Sequence, residues 1–569
     1  MNSHKQYLSL AIVAVMIGVV ILFGGWVSRG ANVSKPDFYF EINKNLKLFG
    51  KVYEEIATRY VEEVDPEKFM KSGINGMLDN LDPYTVFVEQ EGNNELQIMT
   101  KGKYGGVGMR IAKREGWPTV VEPPFEGTPA AKAGIREGDQ IIEVDGVATN
   151  NLSISETAQR LRGEIGTAVN VKIRRIGEEK VLEFRLIRAE IKISDVSYAG
   201  FIKDKIGYVR LGQFSRFAGK QVRDSIAVLK SKGMESLILD LRGNPGGLLE
   251  SAVQVAENFV KQGDLIVYTR GRATGTNVEY RSKETPIWGD KPLVVLVDEY
   301  SASASEIVAG AIQDLDRGLI IGSPTFGKGL VQTVVPLDRE GTSLKITTAK
   351  YYIPSGRLIQ KPDFIRTKEI LYGYDSKKDS LRSAEPDQFY TVGKRRVHGN
   401  GGIVPDIKVA SEEISPLVAN LTMKSMFFNF ALEYASSHKN LNSDFIVDDS
   451  IVADFKKFLK AKDFSYKTRS ELKLEELMKV LNEEKYSAAA EQSLEQLKRA
   501  LQEAKEQDFQ RDLEVIKWNL KAEIAAKLWG TPGKYQVEFQ WQPEIKKAVE
   551  ILSNEREYFS LLSSNVDIK

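Results

Sequence analysis

Apolar and polar residues follow three rhythms along this chain, and each predicts a different kind of structure. Between residues 36 and 100, Leu46, Phe49, Val52, Tyr53, Ile56 and Tyr60 recur three and four positions apart, which places them on one face of a helix. So apolar a stripe must be covered, by an ordinary helical neighbour or by a second copy of the chain. Asp82-Pro83-Tyr84 then marks a turn. Between 101 and 190 the rhythm shortens to strands and turns. Tyr104-Gly105-Gly106-Val107-Gly108-Met109 leads into a strand, Ala133-Gly134-Ile135 and Glu137-Gly138-Asp139 punctuate, and the run from Ile141 ends in an Asp145-Gly146 turn. Ser153-x-x-Glu156 is a capping box that opens a helix carrying Ile154, Ala158 and Leu161.

From 195 to 409 strands alternate with helices. Ile206–Leu211 is a predicted strand, residues 218–231 a helix, and residues 237–241 a second strand that runs through Arg242-Gly243-Asn244-Pro245-Gly246-Gly247 into a helix from Leu249. Leu293–Val297 is apolar at every position between Pro292 and Asp298, the pattern of a strand buried on both faces. Beyond 410 the chain is charged and helical, with Leu494, Leu497, Leu501, Phe509, Leu513 and Ile516 at helical spacing and a break at Thr531-Pro532-Gly533. The fold class is therefore α/β (α+β) and multidomain. The divisions fall at 1–30, 36–100, 101–190, 195–409 and 410–569. The last segment fits a lid, an oligomerisation surface or a partner-binding arm equally well.

Between Lys5 and Arg29 lies an uncharged apolar segment that meets the roughly 20 residues needed to cross a bilayer. It continues to Val27 with no Ala-x-Ala site after it, which favours an uncleaved anchor over a cleaved signal peptide. Lys5 and Arg29 flank it almost symmetrically, so charge does not set its orientation.

Net charge and residue usage then narrow the chemistry. The 79 basic and 78 acidic residues nearly cancel, which argues against nucleic acid or an acidic membrane surface as the main partner. The absence of Cys excludes a thiol nucleophile and a thiolate zinc site. What remains centres on Ser301-Ala302-Ser303-Ala304-Ser305-Glu306 and, downstream, Gly327-Lys328-Gly329. Ser303 and Glu306 fit a capping box, so Ser303 sits at a helix N-terminus, where unpaired N–H groups and the macrodipole favour a developing oxyanion. The plainer alternative is that Ser303 does no more than cap the helix.

A serine nucleophile needs a base. Of the three His, His4 precedes the apolar segment, His438 lies in a polar stretch, and His398 alone is placed to approach the site. A Ser–Lys arrangement with Lys328 therefore leads. If Lys328 and Gln332 share a strand they point the same way, and Gln332 orients the amine. Tyr300, Phe326 and Leu330 would supply an apolar pocket that depresses the amine. The glycine loop ending at Gly246 and Gly247 offers half of an oxyanion hole, and the Ala304 N–H the other half. The segment 322–329 nearly spells a nucleotide-binding P-loop. It fails at Gly329, where a Mg²⁺-binding hydroxyl is required, and it precedes a strand pattern instead of a helix.

The order of turns and strands over 101–190 resembles a PDZ domain. Gly106-Val107-Gly108-Met109 stands where such domains hold a peptide's terminal carboxylate on backbone N–H groups while the peptide joins the sheet edge. With Asp240 to Gly247, Ser301 to Glu306, Thr325 to Gln332 and Gly402-Ile403-Val404-Pro405-Asp406, the span 36–409 resembles the C-terminal processing peptidases, or tail-specific proteases. The resemblance implies an α/β protease core with an inserted PDZ domain, residence outside the cytoplasmic membrane, and endopeptidase cleavage near protein C-termini. It implies that Ser303, not Ser301 or Ser305, is the nucleophile, Lys328 the base and Gln332 its support, with no metal or cofactor. The expected partners are proteins with accessible apolar tails, and a homo-oligomer or an adaptor is left open. The competing readings are a tail-binding protein with a vestigial site and, further off, a P-loop nucleotide enzyme.

Overall fold

The computed structural model describes residues 36–339, 341–361, 388–410, 414–484 and 488–563. The apolar segment before residue 30 lies outside them, and among the described residues no helix is long and apolar enough to cross a membrane. Two compact units divide between Phe87 and Val88. The smaller holds the helices Pro36–Arg59 and Pro66–Leu78. Asp65 caps the second, its carboxylate accepting the Glu67 and Lys68 N–H groups at 3.0 and 3.1 Å. Tyr53 stacks on Phe69 and donates to the Pro66 carbonyl at 2.8 Å. Leu46, Phe49, Val52 and Tyr60 stay exposed, so the predicted stripe is only partly covered. Helix Gln90–Lys101, grouped with these helices by its sequence pattern, belongs to the larger unit.

The larger unit is built on a six-stranded sheet in the order Val196–Lys203, Ile206–Leu211, Ser236–Asp240, Leu293–Val297, Leu319–Gly322, Ile407–Lys408. The first pair is antiparallel and the others are parallel. Side chains alternate between two faces, and both are covered. Val209, Leu211, Leu237, Leu239, Val295 and Val297 meet the helices Ala218–Ser231, Leu249–Ala256 and Ala304–Asp314. Tyr208, Ile238, Val294, Leu296, Leu319 and Ile321 meet Tyr535, Phe539, Ile545, Ile551 and Tyr558 of the C-terminal segment. Each such side chain contributes roughly 1.5–3 kcal/mol on burial. A second, antiparallel group of strands, Leu265–Gly271, Glu279–Arg281, Leu330–Pro336 and Ser343–Tyr352, adjoins this core.

The PDZ domain emerges on a two-stranded stem, Lys103–Gly106 against Ala189–Lys192. Its antiparallel sheet runs Ile111–Arg114, Trp117–Val120, Gln140–Val144, Ala168–Arg174, Leu182–Ile187. The capping box at helix Ile154–Leu161 closes in both directions, at 2.7 and 3.1 Å.

The C-terminal helices have a core of their own around Leu421, Phe430, Phe455, Ile516 and Leu520. They also brace the PDZ domain. Lys527 pairs with Glu137 at 2.6 Å, and Asn429 donates to Glu115 at 3.0 Å. Helix Leu513–Trp541 is interrupted at Gly530, with φ 66° and ψ −161°. That is one residue ahead of the predicted break. Pro532 cannot continue the hydrogen-bond ladder, and glycine takes the non-helical angles at least cost.

Candidate active site

The strand Leu293–Val297 delivers the chain to helix Ala304–Asp314 through a tight turn. Ser303 closes that turn at φ 55°, ψ −110°, a conformation that costs a non-glycine residue about 1–3 kcal/mol and persists only where the surroundings impose it. The three serines of the turn are not equivalent. Ser301 and Ser305 are fully buried, and their hydroxyls donate to the carbonyls of Leu241 and Asn244, both at 2.9 Å. They pin the serine turn to the glycine loop. Ser303 is half-buried, and its hydroxyl makes no cap hydrogen bond. The Glu306 half of the predicted capping box is the half that closes, with the Ser303 N–H donating to Oε2 at 2.8 Å.

The glycine loop lies directly against this turn. A Cβ on Gly246 would fall 2.9 Å from the Ala304 nitrogen, 2.9 Å from Ser303 Cβ and 2.7 Å from the Ala302 oxygen, and φ is 100° there. Only glycine fits. The Gly246 N–H is already spent on Asn244 Oδ1 at 2.9 Å, so this half of the predicted oxyanion pair is not a free donor. Among the described residues the N–H groups of Gly247 and Ala304 have no hydrogen-bond partner. The available donors are therefore those two. Phe214 holds the glycines from the other side, its N–H on the Gly246 carbonyl at 3.2 Å and its carbonyl on the Leu248 N–H at 2.9 Å.

The lysine loop is tied to the serine by a residue that the sequence pattern marked only as a cap. Glu306 is fully buried in the first turn of helix Ala304–Asp314. Its carboxylate accepts the Ser303 and Lys328 N–H groups on Oε2, at 2.8 and 2.9 Å, and the Gly327 N–H and Thr325 hydroxyl on Oε1, at 2.7 and 2.6 Å. Burial nevertheless pushes its carboxyl up to about 7. Thr325 is held in turn by the Ile403 N–H at 2.7 Å, so the Gly402-Ile403 motif braces the same cluster. Tyr351, from strand Ser343–Tyr352, sets its hydroxyl between the carbonyls of Ser303, at 3.2 Å, and Lys328. No local motif pointed to it.

The surroundings of the lysine differ in two respects from the local sequence pattern. Lys328 precedes the strand Leu330–Pro336, so strand alternation alone does not align it with Gln332. The Gln332 amide donates to the Thr347 hydroxyl at 3.3 Å. Tyr300 and Phe326 are 66% and 44% exposed and wall off no apolar pocket. The P-loop reading fails as well. Its backbone donors at Gly327 and Lys328 hold Glu306, the Gly329 N–H holds Gln360 Oε1 at 2.9 Å, and a strand follows. His398 has its carbonyl on Arg357, which also binds Gln313 and Asp314 at the end of the helix away from Ser303.

A groove with an apolar lining lies in the PDZ domain. It encloses about 370 Å³ between edge strand Ile111–Arg114 and helix Ile154–Leu161, lined by Val107, Met109, Ile111, Phe125, Ala158 and Leu161, with Arg110 and Arg162 at its rim. Gly108 bends the loop at φ 83°, where a Cβ would strike Thr128 at 2.4 Å. The N–H groups of Val107, Gly108 and Met109 are unpaired among the described residues. Gly106 instead lies in the stem strand.

Comparison with known proteins matches residues 205–367 to peptidase family S41, 120–175 to a PDZ domain, 28–92 to the N-terminal domain of activating protease CtpB, and 417–552 to the C-terminal helical domain of probable PDZ-proteases. The chain is 39% identical over 343 residues to the carboxy-terminal-processing protease of Bartonella bacilliformis, covering 58% of this chain and 78% of that protein. It belongs to the C-terminal processing peptidases of family S41. Among other members, it is 40% identical over 348 residues to the carboxyl-terminal-processing protease of Synechocystis, covering 60% of this chain and 78% of that one. It is 29% identical over 426 residues to CtpA of Bacillus subtilis, covering 74% and 87%. The protein is thus a serine-type peptidase carrying a PDZ domain, and the helical C-terminal segment has a counterpart of its own among PDZ-proteases.

Proposed function

We propose that this S41 peptidase is an endopeptidase that cuts near the C-termini of proteins, with Ser303 as nucleophile, Lys328 as base, Gln332 in support, and the N–H groups of Gly247 and Ala304 as the oxyanion hole. The supporting observation is the inequality of the three serines. Ser303 alone has a hydroxyl not committed to the scaffold, on a strained turn beside two unpaired N–H groups. Attack by the Ser303 oxygen on a peptide carbonyl builds negative charge that such donors stabilise, typically by about 2.7–4 kcal/mol each. Lys328 takes the serine proton and returns it to the leaving amine.

The PDZ groove would supply the substrate. Three unpaired N–H groups at Val107 to Met109 suit a terminal carboxylate, the apolar lining suits an apolar last residue, and the edge strand suits an extended tail. The segment before residue 30 would anchor the enzyme in the cytoplasmic membrane with its body outside. The test uses a protein with an apolar unfolded tail, in free-acid and C-terminally amidated forms, against wild type and Ser303→Ala. Cleavage of the free acid by wild type only, with a slower rate on the amide, is expected. Equal cleavage by Ser303→Ala would remove the nucleophile, and equal rates on both tails would remove the carboxylate capture. Carbonate extraction of membranes tests the anchor, which release of the full-length chain would contradict.

A further inference from the structure

The side chain of Arg242 stands at the entrance to the glycine loop, and its surroundings come from two distant parts of the chain. From the core, Asp240 receives Arg242 Nε at 3.0 Å and Nη2 at 2.6 Å, together with Arg210 Nη1 at 3.1 Å and the Tyr208 hydroxyl at 2.5 Å. Burial opposes ionisation of Asp240, but Arg242 and Arg210 outweigh it and hold the carboxyl at about 2. From the C-terminal segment, Glu544 Oε2 accepts Arg242 Nη1 at 3.0 Å and Gln542 Oε1 accepts Nη2 at 2.7 Å. Both belong to the start of helix Pro543–Leu552, Gln542 at its N-cap and Glu544 in its first turn. Arg242 and Glu544 are only 10% and 13% exposed, so solvent screens the pair little.

This guanidinium has five N–H donors in a rigid plane, and Asp240, Glu544 and Gln542 together fix that plane. The residues that follow Arg242 are the glycine loop. The Gly243 N–H is held by Asp298 at 2.9 Å, Asn244 by the serine turn, and Gly246 lies against Ala304. Arg242 is thus the first of several anchors along the short run of chain that ends at the Gly247 N–H.

We infer that Glu544 and Gln542 are positioning residues of the peptidase site, which fix Arg242 and through it the oxyanion loop, so that the C-terminal segment forms part of the catalytic apparatus. The inference rests on the oxyanion role of Gly247 proposed above. Neither residue touches substrate. Their effect falls on transition-state geometry and not on substrate binding.

The test measures kcat, KM and the affinity of a peptide boronate, which forms a tetrahedral adduct on a serine. Full-length wild type, Glu544→Ala, Glu544→Gln, Gln542→Ala and the surface control Glu550→Ala are compared, with thermal unfolding recorded for each. Glu544→Ala should lower kcat about 5- to 20-fold, leave KM within twofold and weaken boronate binding by the same factor as kcat. Glu544→Gln, which keeps an acceptor oxygen, should recover most of the loss, and Glu550→Ala should match wild type. Unchanged kcat and boronate affinity in folded Glu544→Ala and Gln542→Ala would overturn the inference. So would a loss of kcat that tracks unfolding temperature while boronate affinity stays at the wild-type value. If wild type itself binds no boronate, or Ser303→Ala binds it as well, the serine site proposed above fails instead.

Discussion

Replacing Glu306 by Gln should reverse its effect on stability between acid and alkaline pH while lowering activity throughout. The carboxylate accepts from four donors, of which three are backbone N–H groups with no alternative partner. A glutamine fits best with its NH₂ toward Thr325, whose hydroxyl can accept. That orientation turns a donor on the Gly327 N–H and strands one buried donor, at a cost of about 1–3 kcal/mol. Against this stands the charge. With a carboxyl held at about 7 in the folded protein against an ordinary 4.5, the folded state is disfavoured by about 3 kcal/mol once the group is ionised in both states. The raised value means that this contribution to stability is fully present below pH 4.5 and is lost as pH rises through 7. Glutamine carries no such dependence. The variant should therefore melt below wild type at pH 5.5 and at or above it at pH 8.5.

Activity follows a different rule, because only the ionised carboxylate has acceptors for all four donors. The wild-type kcat/KM profile should carry an inflection near 7 that Glu306→Gln loses. At pH 8 the variant's kcat should fall about 10- to 100-fold, the scale expected when reacting groups drift by a fraction of an ångström to one ångström. Melting curves from pH 5.5 to 8.5 and pH–rate profiles of both proteins decide the matter. A constant stability difference across that range, or an inflection near 7 that survives in Glu306→Gln, would refute the reasoning.

Other substitutions separate scaffold from chemistry. Ser301→Ala and Ser305→Ala each remove one buried hydrogen bond to a carbonyl that keeps a backbone donor, and should destabilise by about 0.5–1.5 kcal/mol in urea titrations while retaining cleavage, in contrast to Ser303→Ala. Lys328→Arg should be inactive from pH 6 to 10, since a guanidinium stays protonated throughout, and measurable turnover at pH 10 would point to another base. Gly246→Ala should abolish activity and lower the unfolding temperature, because its Cβ would meet backbone atoms on two sides at a positive φ; wild-type kcat in that variant would show that the loop can move without cost.

Much of the core was legible because its signals are local. Leu293–Val297 is apolar at every position and is buried at every position, and the serine turn, the glycine loop and the PDZ loop are contiguous in sequence. Two features lie beyond local pattern. Where the strand after Lys328 begins is set by its pairing with Ser343–Tyr352, which starts at Leu330 and leaves the lysine outside it. Glu306, Tyr351 and the Arg242 contacts are joined across 19 to 302 positions of chain, a distance over which periodicity is silent. One further signal is present in the sequence. A strand buried on both faces needs two covering layers, and helices between residues 218 and 314 provide only one. The second had to come from elsewhere, and it is the C-terminal segment whose role its own sequence left open.

That second layer also sets a clock. Tyr558 closes the sheet by donating to the Leu293 carbonyl at 3.1 Å and accepting the Leu293 N–H at 3.0 Å, across 265 residues of chain. A ribosome adding about 5–20 residues per second needs roughly 13–50 s to bridge that interval. Throughout it, the nascent sheet shows one bare apolar face, and Arg242 lacks half of its partners. The polypeptide thus carries its serine turn and glycine loop for roughly 13–50 s before it can complete them. On the inference drawn above, the peptidase site is completed only when the last helices arrive.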